Sequence, residues 1–209
     1  MTTAAIAIID YGLGNVRSIA NALEKIGAQP VLTRDQAVIR AADGVVLPGV
    51  GAFSQGMENL RRYDLCDALH RLKATGKPLL GICLGMQMLL ETSDEFGVYK
   101  GLGIIAGDVI RMPVTTKLPH VGWNEIREPV SERWHGTILH DTPQASSVYF
   151  IHGYAAIPRD SADILAVTEY GGFTFTSSLQ SGSFYGCQFH PEKSGEIGLN
   201  MLKNFVEML

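Results

Sequence analysis

From Ala4 to Glu91, short apolar runs alternate with segments whose apolar residues recur every three or four positions, and this alternation leaves few folds open. Ala4–Asp10 reads as a buried strand that ends in Asp10-Tyr11-Gly12. From Asn15, the residues Val16, Ile19, Ala20, Leu23 and Ile26 follow helical spacing until Gly27 stops the pattern. Further strands are expected near Pro30–Thr33 and at Gly44–Leu47, the latter closed by Pro48-Gly49. One helix carrying Met57, Leu60, Leu65, Leu69 and Leu72 should then run to Gly76. The stretch KPLLGICLGMQMLLE (Lys77–Glu91) passes from an apolar run into an amphipathic helix. Strand and helix alternating over short connections predict an α/β fold, a three-layer sandwich whose mostly parallel central sheet is covered on both faces.

Beyond about residue 98 the texture changes. Val109–Met112, Val148–Ile151, Ile164–Thr168, Phe173–Thr176 and Ser183–Phe189 read as strands, and Glu196–Leu209 as a closing helix. Glu128–Ser147 is loop-rich and receives no element. No linker, repeat or low-complexity tract interrupts the chain, which predicts a single domain over residues 1–209.

Composition excludes several functions. A net charge of −4 offers no basic footprint for nucleic acid or an anionic membrane. Cys66, Cys83 and Cys187 are too few and too scattered for a disulfide framework, and no C-x-x-C or paired-histidine spacing suggests a metal. No cofactor is expected. The beginning Met1-Thr2-Thr3-Ala4-Ala5-Ile6 has no basic leader and no segment is long enough to span a bilayer, so a cytoplasmic protein is expected.

Gly81-Ile82-Cys83-Leu84-Gly85 has the spacing of a nucleophile elbow with cysteine in place of serine. A sharp strand-to-helix turn exposes its central side chain, the helix start favours negative charge on the sulfur, and the Leu84 N–H faces a developing oxyanion. A buried structural cysteine would satisfy the same five residues. A nucleophilic thiolate needs a base and the base an orienting group. In Phe184–Glu192 a strand is halted by Pro191, and an extended segment would point His190 and Glu192 the same way, with Cys187 on the opposite face. Taken singly, His190 could be a satisfied strand-end histidine and Glu192 a solvated charge. Cys187 and Cys66 are expected in the core. Pro48-Gly49-Val50-Gly51 ends a neighbouring strand, where paired glycines allow a ligand close to the backbone; a plain turn is the simpler reading.

G-x-C-x-G-x-Q followed far downstream by F-H-P-E resembles the class I glutamine amidotransferases, which hydrolyse glutamine with a Cys-His-Glu triad on a flavodoxin-like sheet; Cys83, Gln87, His190 and Glu192 match that pattern. More narrowly, DYGLGNVRSIANALEKIG, PGVGAFSQGMENL, PHVGWN, YFIHGY and FHPEKSGEIGLNMLKNF resemble the glutaminase subunits of imidazole glycerol phosphate synthases, over nearly the whole chain. The resemblance implies that Cys83 attacks the carboxamide, His190 shuttles protons and Glu192 orients it. It also implies an oxyanion held by the N–H of Leu84 and one from Gly49, Val50 or Gly51. Glutamine contacts would come from Gly49, Gly51, Gln87, Gly153 and Tyr154. The ammonia would pass to a (β/α)₈-barrel cyclase subunit, forming a heterodimer that makes imidazole glycerol phosphate and AICAR in histidine biosynthesis. Asn15, His120, Trp123, Asn124, Tyr149 and Lys193 would meet that partner. Where relatives usually place Ser or Thr before the tyrosine of YFIHGY, this chain has Gly153, and Trp134–Ser147 also departs from the pattern.

Other readings stay open on the residues alone. Gly12-Leu13-Gly14-Asn15-Val16-Arg17 begins like a dinucleotide fingerprint but has Arg17 at the third glycine position. A different α/β cysteine hydrolase, a glutaminase serving another ammonia-using synthase, and a non-catalytic regulatory subunit are the remaining rivals.

Overall fold

The computed structural model describes residues 3–209; Met1 and Thr2, which enter the reading of the leader and of the domain's first boundary, lie outside the described residues. In chain order the elements begin β1 (Ala5–Ile9), α1 (Val16–Lys25), β2 (Gln29–Thr33), α2 (Gln36–Ala41), β3 (Gly44–Leu47), α3 (Phe53–Arg62), α4 (Cys66–Thr75), β4 (Leu79–Ile82) and α5 (Leu84–Met88). They continue with β5 (Thr92–Ser93), β6 (Tyr99–Lys100), β7 (Gly107–Arg111), β8 (His120–Ile126), β9 (Ser146–His152), β10 (Tyr154–Pro158), β11 (Ile164–Tyr170), β12 (Phe173–Ser181), β13 (Phe184–Cys187) and α6 (Gly195–Glu207).

Five strands in the order β2-β1-β3-β4-β13 are parallel, and the sheet then extends through antiparallel β12, β10 and β7, with β11 on β12. The central strands are apolar throughout because both faces are covered. Ile6, Ile8, Val46, Leu80 and Ile82 pack toward α1 and α6, through Ile19, Leu23, Leu202 and Phe205. Their neighbours Ala7, Ile9, Val45, Leu47 and Leu79 face the other way, onto Ile39, Phe53, Met57, Leu60 and Leu69 of α2, α3 and α4. Side chains alternating along a strand thus divide one apolar run between two cores. The three-layer expectation holds. Among the described residues, no helix is long and apolar enough to cross a membrane.

Several expectations need correction. The single helix through Met57 and Leu72 is two: Asp64, at φ 55°, ends α3, and the Leu65 N–H closes on the Leu60 carbonyl at 2.9 Å before α4 starts. Leu60, Leu65 and Leu69 stay on one apolar side across the break, so spacing alone does not reveal it. Strand β8 escaped the sequence reading because its apolar residues Val121 and Trp123 point outward, inverting the usual pattern. It pairs only with β9, apart from the main sheet. The unassigned segment 128–145 is a run of turns held from within. The Trp134 Nε1–H donates to the Leu165 carbonyl at 2.7 Å, Glu128 accepts from the Trp134 N–H at 2.9 Å, and Trp134, Ile138 and Leu139 join the core.

Candidate active site

Strands β3, β4 and β13 are adjacent and parallel, so the segments leaving their carboxyl ends meet at one edge of the sheet. Those segments are Pro48–Gly51, Cys83 and Gln188–Glu192, which is how residues more than a hundred positions apart come to share a site. This is where open α/β sheets bind ligands.

Cys83 has φ 53° and ψ −111°, a conformation L-residues rarely adopt. Its N–H is anchored to the Cys187 carbonyl at 2.7 Å, and its carbonyl accepts the first helical bond from Gln87 at 3.2 Å. Gly85 makes the turn possible: a Cβ there would lie 1.9 Å from the Leu47 carbonyl oxygen. The elbow therefore holds as expected, with two corrections. Helix α5 is only five residues long, so the dipole behind the sulfur is that of a single turn. The thiol is also not open to bulk water, since Cys83 is 6% exposed and reaches solvent through a cavity.

His190 and Glu192 are side by side. The His190 Nδ1–H donates to Glu192 Oε1 at 2.8 Å, with the two side chains 3% and 0% exposed. Extended backbone does not achieve this, contrary to expectation: Pro191–Lys193 is a 3₁₀ turn that folds Glu192 back beneath the ring. Burial disfavours the imidazolium, but interaction with Cys83 and Glu192 overrides it and raises the His190 pKa to about 9. Nε2 itself has no hydrogen-bond partner within the described residues, so the ring couples to the thiol without a closed bond between them. Of the other cysteines, Cys187 is buried and its thiol pushed up to about 12 by burial, which makes it inert. Cys66 is only half-buried at the start of α4, not in the core as expected.

The cavity beside Cys83 and His190 holds about 230 Å³, below the roughly 300–1,000 Å³ of pockets for drug-sized ligands and suited to something the size of an amino acid. Of the residues that the resemblance implies for the oxyanion and for glutamine, Val50, Gly51, Leu84, Gln87, Gly153 and Tyr154 line it. Gly49 does not. It is packed behind the wall, where a Cβ would come within 2.7 Å of Gly85 N, Leu84 Cβ and Tyr11 Oη. The Tyr11 hydroxyl donates to the Pro48 carbonyl at 2.7 Å and pins the start of that segment. Burial, reinforced by Cys83, pushes the phenol above the ordinary tyrosine range, so it stays a donor. Both hydrogens of the Gln87 amide are committed, to the Tyr154 carbonyl at 3.1 Å and Gln188 Oε1 at 2.9 Å; only its oxygen is left for a ligand. Three lining residues were missed: Ile151, His152 and Glu95. Glu95 brings a carboxylate to the wall while accepting from the Phe53 N–H at 2.6 Å, and nothing in its exposed-looking DEFG setting announces this.

The residues expected at a partner surface divide by strand alternation. Trp123 (58% exposed) and Tyr149 sit opposite each other on β8 and β9, ring centroids 6.2 Å apart, and Lys193 Nζ lies 5.7 Å from the Tyr149 ring centroid. Val121 and Ile151, unforeseen, extend this outward apolar row to the cavity mouth, where Ile151 and Lys193 are also lining residues. His120 and Asn124 face the other way. His120 is buried between Phe150 and Tyr170, and burial lowers its pKa to about 4. The Asn124 side chain donates to the Glu169 carbonyl at 2.8 Å and accepts from the Glu125 N–H. Neither belongs to the outward row. Asn15 caps α1, half-buried and making no side-chain capping bond.

Across residues 7–209 the chain matches the family described as Glutamine amidotransferase class-I. It is 45% identical over 204 residues to a Moorella thermoacetica protein named imidazole glycerol phosphate synthase subunit HisH, covering 98% of this chain and 95% of the relative. A Bacillus cereus protein of the same name is 47% identical over 201 residues, covering 96% of this chain and 93% of the relative. The solved structure described as PurLQS from Thermotoga maritima superposes with a TM-score of 0.73 over 99% of both chains, at 18% identity, a likeness of fold.

Proposed function

We propose, from the premise that this chain belongs to the class-I glutamine amidotransferase family, that it is the single-domain glutaminase subunit of an imidazole glycerol phosphate synthase. The observation that carries the chemistry is the buried His190–Glu192 pair coupled to Cys83 beside a cavity of amino-acid size.

The Cys83 thiolate attacks the side-chain carboxamide of L-glutamine, and the tetrahedral oxyanion takes hydrogen bonds from the Leu84 N–H and from an N–H of the Gly49-Val50-Gly51 segment. His190, protonated because its pKa stands near 9, gives its proton to the departing nitrogen, and ammonia leaves behind a γ-glutamyl thioester. The imidazole then takes a proton from water as it attacks the thioester. Collapse expels the Cys83 thiolate and frees glutamate. Glu192 keeps the ring oriented through Nδ1. Glu95, the carboxylate in the wall, suits the α-ammonium of the substrate.

Ammonia would pass to a cyclase subunit, a (β/α)₈ barrel, docked on Val121, Trp123, Tyr149, Ile151 and Lys193 at the cavity mouth, as a cytoplasmic heterodimer of the histidine pathway. An unpartnered glutaminase would waste glutamine, so activity should depend on docking. The peptides between Gly49 and Gly51 are suited to be the switch: with Pro48 pinned by Tyr11 and Gly51 at φ 97°, one plane between them can rotate to present N–H instead of carbonyl. An ammonia-coupled glutaminase assay, run with and without the cyclase subunit, tests the proposal. Strong stimulation by the partner supports it, and full turnover by the chain alone would remove the switch while leaving the triad in place.

A further inference from the structure

Behind the nucleophile runs a polar relay that the reaction above leaves unused. Gln188, the residue after β13, is fully buried; its Nε2–H donates to Cys83 Sγ at 3.7 Å and its Oε1 accepts from Gln87 Nε2 at 2.9 Å. Gln87 gives its other hydrogen to the Tyr154 carbonyl at 3.1 Å. The polarity of this relay is forced. A carbonyl only accepts, so Gln87 must turn its NH₂ to Tyr154. The same NH₂ then needs an acceptor, which fixes the oxygen of Gln188 toward Gln87 and its NH₂ toward the sulfur. Reversing either amide would set like groups face to face in a dry space. The frame is rigid as well: the Gln188 N–H is bonded to the Ser177 carbonyl at 2.9 Å, and the Cys83 N–H to the carbonyl of the residue just before Gln188.

We propose that Gln188 is a positioning residue for the nucleophile: its N–H holds the Cys83 sulfur toward the cavity and favours the thiolate over the thiol, with Gln87 and the Tyr154 carbonyl setting the direction of its amide. A thiolate accepts a hydrogen bond far better than a neutral thiol, and better than a thioester sulfur. The donor therefore acts where charge sits on sulfur, before attack and as the thioester collapses. The inference rests on the reading of Cys83 as the nucleophile.

Gln188→Met in the full chain keeps the volume and removes the donor. Alkylation of Cys83 by iodoacetamide, followed on the Cys83 peptide because Cys66 is also partly accessible, separates the donor from a mere wall. The variant should react about tenfold more slowly than the parent near neutral pH. At about pH 9.5, where a thiol ionises unaided, it should come within about twofold. Gln87→Leu, which leaves Gln188 in place but frees its amide to rotate, should show a smaller loss with the same pH pattern, and it carries the test if Gln188→Met does not fold. Equal factors at both pH values, or no loss near neutrality, would overturn the proposal. Glutaminase activity surviving Cys83→Ala would instead overturn the assignment of the nucleophile, whatever the alkylation rates.

Discussion

At the scale of single residues, the site joins a backbone that L-residues avoid at Cys83 to a histidine whose charged form is favoured by two neighbours, Cys83 and Glu192. Cys83→Ala should abolish glutaminase activity yet leave ammonia-dependent synthesis by the complex intact, because the proposed function puts the cyclase chemistry on the other chain. Loss of both would argue against that division. Glu192→Gln should retain more activity than His190→Ala, since glutamine can still accept from Nδ1 but no longer stabilises the imidazolium. The sign of its pH effect is fixed. Glu192 helps raise the His190 pKa to about 9, so its neutral replacement lowers that value, and the alkaline limb of the glutaminase profile should move toward acid. Gly153 stands where the resemblance leads one to expect serine or threonine, but a Cβ there would meet nothing nearer than Pro119 Cα at 4.0 Å. Gly153→Ser should therefore fold with a stability within about 0.5 kcal/mol of the parent and change KM only a few-fold, measured by denaturant titration and steady-state kinetics. The triad was legible because glycine and proline punctuate the chain around it. Glu95 and Gln188 were not, since their roles come from what they touch across the fold.

At the scale of elements, the β8–β9 hairpin carries the docking reading. Trp123→Ala should weaken association with the cyclase by at least about 2 kcal/mol in calorimetry, as truncating an exposed aromatic anchor commonly does, and leave the melting temperature nearly unchanged. Asn124→Ala should do the reverse and cost about 1 kcal/mol of stability through its bond to Glu169, with affinity unaffected. The switch is best probed at Gly51, because any side chain at Gly49 would collide with Gly85, Leu84 and Tyr11 and confuse packing with rotation. Gly51 at φ 97° has open space around it, so Gly51→Ala restricts the backbone alone. Partner-stimulated kcat should fall far more than the basal rate, toward the 10²–10³ associated with a missing oxyanion donor. The parallel half of the sheet was readable because its strands are apolar on both faces. The hairpin was not, since its outward face carries Val121 and Trp123, residues of the kind that usually mark an interior.

At the scale of the whole molecule, three buried histidines set opposite pH dependences. His120 and His152 are held neutral by burial, with pKa values lowered to about 4 and 3, so their contribution to stability is full above about 6.5 and lost as pH falls toward those values. His190, raised to about 9, contributes fully below about 6.5 and loses that contribution as pH rises through 9. Stability measured by denaturant titration should thus be greatest near pH 6.5, falling toward alkali as His190 loses its proton and declining toward acid by on the order of 2 kcal/mol for each of His120 and His152 near pH 5. His120→Phe, a similar ring between Phe150 and Tyr170, should flatten that decline. An unchanged acid limb would assign it to other groups. The position of β13 has a consequence for synthesis as well. Phe184–Cys187 lies between β4 and β12, joining the parallel and antiparallel parts of the sheet, and the base follows it directly. A nascent chain stalled before Phe184 would possess the cysteine but neither its base nor a continuous sheet. Translation arrest would leave such a fragment silent and ready for proteolysis, so an incomplete chain could not leak ammonia into the cell.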